Sequence, residues 1–185
     1  EWMKGLPVAD LTTLGTLGTV LPALKLLWLG DRAARHPGHD GVQRLAVGLG
    51  AGALPAVTIL RISSMQVGDA GASALAAALG RGALPRLEVL VLNDTGIGDA
   101  GLVALAPALR RLPALESLEL SINLFGDEAL AALVAPPLAG SPTGGLKKLR
   151  TLDFGGTQVT DAGCAAFAAV FESGALPVLT WTSIC

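Results

Sequence analysis

The chain has 185 residues, of which 51% are hydrophobic, 15% charged and 4% aromatic, with a formal net charge of −2. So much apolar material with so little net charge excludes intrinsic disorder, and the length suits one domain with a sizeable core. The near-neutral charge and the absence of tyrosine leave neither a basic field nor a stacking platform for nucleic acid.

Two apolar stretches invite a membrane reading. Residues 11–29 contain Pro22, Lys25, two glycines and four threonines; residues 45–60 are broken by Pro55 and three glycines. Neither reads as a span of about 20 apolar residues. The chain opens on Glu1 with no signal-peptide pattern and reads as processed or cut from something longer. Two cysteines, Cys164 and Cys185, make no disulfide framework and no zinc spacing, so an intracellular, cytoplasmic setting is expected.

Internal repetition dominates the sequence. Leu-Pro recurs at Leu21, Leu54, Leu84, Leu112 and Leu176, with Leu146-Lys147 in the remaining place; successive leucines are 33, 30, 28, 34 and 30 residues apart. Residues 1–20 are read as a partial N-terminal repeat or cap, and 21–185 as the repeat domain, with units starting near 21, 54, 84, 112, 146 and 176. The first half of each unit alternates, as in Leu87-x-x-Leu90-x-Leu92 and Leu115-x-x-Leu118-x-Leu120. Period two predicts a short strand with one buried face. The second half has helical spacing, as in Ala72, Leu75, Ala76 and Leu79. Asp69, Asp99 and Asp161 stand at the helix starts, where each is expected to cap its own helix. Gly80 and Gly82 lie where a left-handed C-cap is favoured, and the following proline stops the helix. The chain thus predicts an α/β solenoid: a curved parallel sheet on the concave side and helices on the convex side.

The repeated pattern LxxLxLxx(N/T)x(I/V)GDxGxxALxxAL resembles the ribonuclease-inhibitor-type leucine-rich repeat over residues 21–185. Asn123 stands at that family's asparagine position, with Thr95, Thr157 and Met65 in its place elsewhere. The resemblance implies that Asn123 ties adjacent turns together, that threonine does part of this and that Met65 cannot. It also implies a horseshoe-shaped, intracellular protein-binding module without catalysis of its own.

The alternation places three columns of side chains on the concave face. The central column is Trp28, Arg61, Val91, Glu119, Asp153 and Ser183. The column before it is Leu26, Ile59, Val89, Ser117, Thr151 and Trp181, and the one after it is Gly30, Ser63, Asn93, Ser121 and Gly155. The face is therefore expected to be apolar toward its N-terminal half and acidic and hydroxylic toward the other. Contiguous exposed apolar surface marks interaction sites, and Trp and Arg are enriched at hot spots. Leu26, Trp28, Ile59, Arg61, Val89, Val91, Glu119 and Asp153 form the candidate protein-binding set, with Trp28 and Arg61 as anchors. The competing reading has residues 1–20 folding across this patch.

Other chemistry is sparse. His36, His39 and Asp40 have no third strong ligand beside them in sequence and read as a solvated loop. Asn93-Asp94-Thr95 is a formal glycosylation sequon on the proposed binding face, and Cys164 reads as a small packed residue. The GDAG glycines recur in every unit and lack the lysine of a phosphate loop, so they serve the turn; residues 139–145 read as a surface loop. No catalytic residue, cofactor or metal is assigned. The expected partners are proteins on the concave face, and both solenoid ends are expected to be covered either by missing chain or by partner subunits, with no nucleic acid and no membrane span. The leading function is a binding or scaffold module within a larger assembly. Two alternatives stand beside it: the repeat fragment of an immune-type sensor, or a GTPase-activating regulator, for which Arg61 and Asn93 are the concave candidates.

Overall fold

The computed structural model describes residues 23–30, 39–135 and 146–183. Strand and helix alternate: β1 (Leu26–Gly30), α1 (His39–Gly50), β2 (Ile59–Ser63), α2 (Gly68–Gly80), β3 (Val89–Val91), α3 (Asp99–Leu109), β4 (Ser117–Glu119), α4 (Asp127–Val134), β5 (Thr151–Asp153), α5 (Asp161–Glu172) and β6 (Trp181–Ser183). The six strands form one sheet in sequence order, every neighbouring pair parallel. Each strand starts five residues after the leucine that opens its repeat. The described residues thus form a solenoid of strand–turn–helix rungs. Residues 1–22, the His36 loop and the 139–145 loop lie outside them.

The core is a slab between sheet and helices. Leu27, Leu60, Leu90, Leu118 and Leu152 stand in register along the sheet's helix-facing side, all essentially inaccessible. They meet Leu45, Leu75, Leu105, Leu130 and their helical neighbours in one continuous cluster. Alanine fills many of the helix positions facing the slab, among them Ala72, Ala78, Ala106 and Ala129, so the helices lie close to the strands. Phe154 and Phe167 close the C-terminal part edge to face, their centroids 5.5 Å apart. No rung could bury its apolar face alone, so stability is carried from neighbour to neighbour.

The end of α2 follows the predicted chemistry with a shift of position. Gly82 takes φ +88°, its N–H bonding to the Leu79 carbonyl while the Ala83 N–H reaches the Ala78 carbonyl. This is the Schellman arrangement. Gly80, expected to share in the cap, is instead the last helical residue, because the cap closes one step later.

The aspartates correct the sequence reading. Asp69, Asp99 and Asp161 stand within the first turn of their helices rather than at the flanking position, and none caps its own helix. A carboxylate so placed leans toward the parallel helix of the next rung. Asp69 Oδ1 accepts the Gly98 and Gly101 N–H groups at the start of α3, at 2.7 and 3.0 Å. Asp99 Oδ1 accepts the Gly126 N–H before α4 at 2.8 Å. Asp127 Oδ1 accepts the Thr160 N–H at 2.8 Å, and its Oδ2 the Thr160 hydroxyl at 2.6 Å, before α5. Each of these helix starts thus receives its negative charge from the preceding rung, which satisfies orphan N–H groups and complements the helix dipole.

This bonding has a titration signature. The Thr160 hydroxyl, then the Thr160 N–H, and more weakly the Gly163 N–H, hold the Asp127 carboxyl below its ordinary value of 3.8, against a smaller opposing effect of desolvation. A lowered folded-state value means that the stabilisation is complete above the ordinary carboxylate range and is lost as pH falls through the folded value. The gap in urea midpoint between the native chain and Asp127→Asn is therefore expected to be constant near neutrality and to shrink in acid below about pH 4. A gap that widens on acidification would contradict the inter-rung bond.

The other tie between rungs is Asn123. Its side chain is 3% exposed. Its Oδ1 accepts the Thr95 and Ile97 N–H groups, and its Nδ2 donates to the carbonyls of Leu92 and Leu120. Thr95 does part of the same work, its hydroxyl donating to Leu92 O at 3.0 Å, and Thr157 donates likewise to Phe154 O at 2.8 Å. Met65 is buried at the equivalent place. Where threonine stands in place of asparagine at 95, the Thr95 carbonyl accepts the N–H groups of Val67 and Gly68 in the preceding rung.

Candidate functional site

Strand register assembles the concave face. Leu26, Ile59, Val89, Ser117, Thr151 and Trp181 are in line, as are Trp28, Arg61, Val91, Glu119, Asp153 and Ser183. Both columns fall as the alternation predicts, because parallel strands of equal offset keep equivalent residues side by side.

At the N-terminal half, the Arg61 guanidinium carbon lies 6.0 Å from the centroid of the Trp28 ring, within cation–π range. Gly30 makes room for the indole: a Cβ there would come within 3.2 Å of Trp28 Nε1 and 3.0 Å of the Ser63 carbonyl oxygen. Arg61 itself is exposed, Leu26 is 39% exposed, and Trp28, Ile59 and Val89 are half-buried. Apolar ledges therefore flank one fixed cation.

Val91 departs from the expected set. It stands in the central column but is only 1% exposed, a short side chain lined up between Arg61 and Glu119. It belongs to the floor and offers no contact surface.

The C-terminal half is acidic and held in place. Asn93 Nδ2 donates to Glu119 Oε2 at 3.2 Å, while its Oδ1 accepts the Ser121 N–H at 3.0 Å. Asp153 Oδ1 accepts the Gly155 N–H at 3.0 Å. Each carboxylate thus keeps its other oxygen without a hydrogen bond among the described residues. Ser117 and Thr151 beside them are half-buried hydroxyls. Asn93, the sequon residue, is a strut between two rungs.

With this geometry in view, sequence comparison adds one finding. The family model of the leucine-rich repeat matches residues 55–76, 84–106 and 145–168. The fold is a leucine-rich-repeat solenoid. No curated protein matches the chain. The matched leucine-rich repeats are the second, third and fifth rungs. The fourth departs from their pattern, with Ala129 where the others have Gly71, Gly101 and Gly163. Leucine-rich repeats generally mediate protein–protein contacts and typically carry no catalysis of their own.

Some surface escaped the sequence reading. Ile122 and Leu124 are 62% and 56% exposed on the turn after β4. Asn123 between them points inward, so the same alternation that buries it turns both neighbours out; that was the available signal. Trp181, 51% exposed, closes the first column. Cys164 is half-buried against the core, as its small size suggested. Among the described residues no group of three or more His, Cys, Asp or Glu could hold a metal ion, and no helix is long and apolar enough to cross a membrane. His36, the His39 side chain and the 1–20 segment that could cover the apolar columns lie outside the described residues.

Proposed function

We propose that the chain is a non-enzymatic protein-binding module of the ribonuclease-inhibitor type, that it holds its partner on the concave face of the solenoid, and that it acts as a subunit of a larger intracellular assembly. The carrying observation is the Trp28–Arg61 stack among apolar ledges, facing the same side as the fixed carboxylates of Glu119 and Asp153. Tryptophan and arginine are both enriched among hot spots, and a cation already stacked on an aromatic ring loses little freedom on binding. Glu119 lies two strands from Arg61 and Asp153 three. At about 4.8 Å per strand, these are separations of about 10 and 14 Å. The fitting partner presents an apolar side chain to the N-terminal half and, at that spacing, a lysine or arginine to the carboxylates.

The test is site-directed photo-crosslinking in the native host. A photo-reactive residue replacing Ser117 on the concave face is expected to give a discrete protein adduct, and one replacing convex Val47, 70% exposed, is expected to give none. Trp28→Ala and Arg61→Ala should each remove the adduct. An adduct from Val47 alone, or one indifferent to both substitutions, would sink the reading.

A further inference from the structure

The turn after each strand keeps one backbone shape from β2 to β5. Ser64, Asp94, Ile122 and Gly156 occupy the same place in it, all left-handed, at φ +54°, +55°, +56° and +68°. The ladder imposes that shape. The N–H groups of Ser64, Asp94 and Ile122 reach the carbonyls of Asn93, Ser121 and Gly155 at the end of the next strand, at 3.1, 3.0 and 2.9 Å. Glycine is at ease in left-handed backbone and aspartate tolerates it, but a β-branched side chain is crowded there. Leu54 and Leu84 share the conformation, at φ +56° and +50°, and are 0% and 1% exposed, so burial offsets the strain. Ile122 has no such compensation, being 62% exposed. The fold therefore needs the left-handed turn at this place and does not need isoleucine in it.

Two residues further on, Gln66, Gly96, Leu124 and Gln158 stand in equivalent positions. There too the fourth rung alone carries a large apolar side chain, 56% exposed. The pair adjoins the acidic half of the concave face, since Ile122 follows Ser121 of the third column and Glu119 of the central one. Residues 64–67, 94–98, 121–126 and 154–160 of these turns include Asp94 and no lysine or arginine.

We infer that Ile122 and Leu124 are specificity-determining contacts for the protein partner, which rests on the concave-face binding proposed above, and that Ile122 is kept there at the expense of fold stability. Strain of this kind persists where the surroundings enforce it and function uses it. The partner places an aliphatic side chain on Ile122 and Leu124, about 10 Å from the lysine or arginine taken by Glu119, three residues back along the strand. Residues 136–145 of this chain contain no lysine or arginine and do not supply that combination.

Ile122→Asn separates the two effects, because asparagine accepts left-handed backbone and removes the apolar surface. The 185-residue chain carrying it is expected to melt about 3 °C higher than the native chain, while Ile122→Val, which keeps the branching, should melt with the native chain. In the host, a photo-reactive residue replacing Gln158, exposed one rung on from Leu124, should capture the same protein as one replacing Ser117. Ile122→Asn and Leu124→Gln should each lower the Gln158 adduct at least about fivefold, and Ile122→Val should preserve it. An equal or lower melting temperature for Ile122→Asn would mean that the side chain is relaxed or covered within the folded chain, and would overturn the inference. An adduct undiminished by Ile122→Asn would do the same. A Ser117 adduct without a Gln158 adduct removes the turn contact and leaves the concave reading standing; a Gln158 adduct without a Ser117 adduct keeps the turn contact and sinks the concave reading.

Discussion

Asn123→Ala is expected to be the most damaging polar substitution in the chain, costing about 4 kcal/mol. Asn123 is buried, and its amide serves the backbone at four points: two N–H groups, of Thr95 and Ile97, and two carbonyls, of Leu92 and Leu120. Alanine leaves three of them, the Thr95 and Ile97 N–H groups and the Leu120 carbonyl, without a side-chain partner in a dry interior, where each orphan costs about 1–3 kcal/mol unless water enters, while the Leu92 carbonyl keeps the Thr95 hydroxyl. The estimate stays near the low end of that range for each, since the turn can relax. For a domain of this size the loss corresponds to a melting shift of roughly 8–16 °C. Asn123→Asp separates the two halves of the role. It keeps the acceptor for Thr95 and Ile97 but sets a carboxylate against the Leu92 and Leu120 carbonyls, and should recover none of the lost stability. The check is urea unfolding with an unchanged slope, together with faster amide exchange at Thr95 and Ile97 before any global effect. An Asn123→Ala midpoint equal to that of the native chain would mean that the rungs are tied by packing alone.

The ladder of leucines was legible because a rung of nearly constant length forces equivalent residues into register. Once Leu60, Leu90, Leu118 and Leu152 line one side of the sheet, the residues flanking them must line the other. Trp28 and Arg61 therefore met as the alternation required. The role of the aspartates was not legible. A local pattern of Asp before a helix reads as a cap of that helix, and only the parallel neighbour, about thirty residues on in the chain, shows that Asp69 serves α3. Solvent exposure was equally hidden. Val89 and Val91 are the same residue type two positions apart on the same face, yet Val91 is sealed in its column while Val89 keeps some surface. What neighbouring strands contribute to covering a side chain does not follow from the strand that bears it.

Gly101→Ala is expected to cost about 3 kcal/mol, an unusual penalty for adding one methyl group to a helix. In an open helical position the same change is favourable by about 0.5–1 kcal/mol, since glycine loses more backbone entropy than alanine. At Gly101 a Cβ would stand 2.6 Å from Asp69 Oδ1 and 3.0 Å from both the Asp69 Cα and Ile97 Cγ2. The carboxylate cannot swing aside without releasing the Gly98 and Gly101 N–H groups, and the backbone of α2 is held by its own packing. The fourth rung shows what accommodation looks like. With Ala129 at this place, Asp99 has the Gly126 N–H as its backbone partner at the start of α4, where Asp69 holds two at the start of α3. Gly80→Ala is the internal control, because Gly80 is helical and nothing lies within 4 Å of where its Cβ would be. It should raise the urea midpoint while Gly101→Ala lowers it. A double-mutant cycle assigns the cause. With Asp69→Ala in place, the cost of Gly101→Ala should fall by more than half, the remainder coming from crowding against the α2 backbone and Ile97. If the two substitutions simply add, the carboxylate of one rung is not what requires glycine in the next.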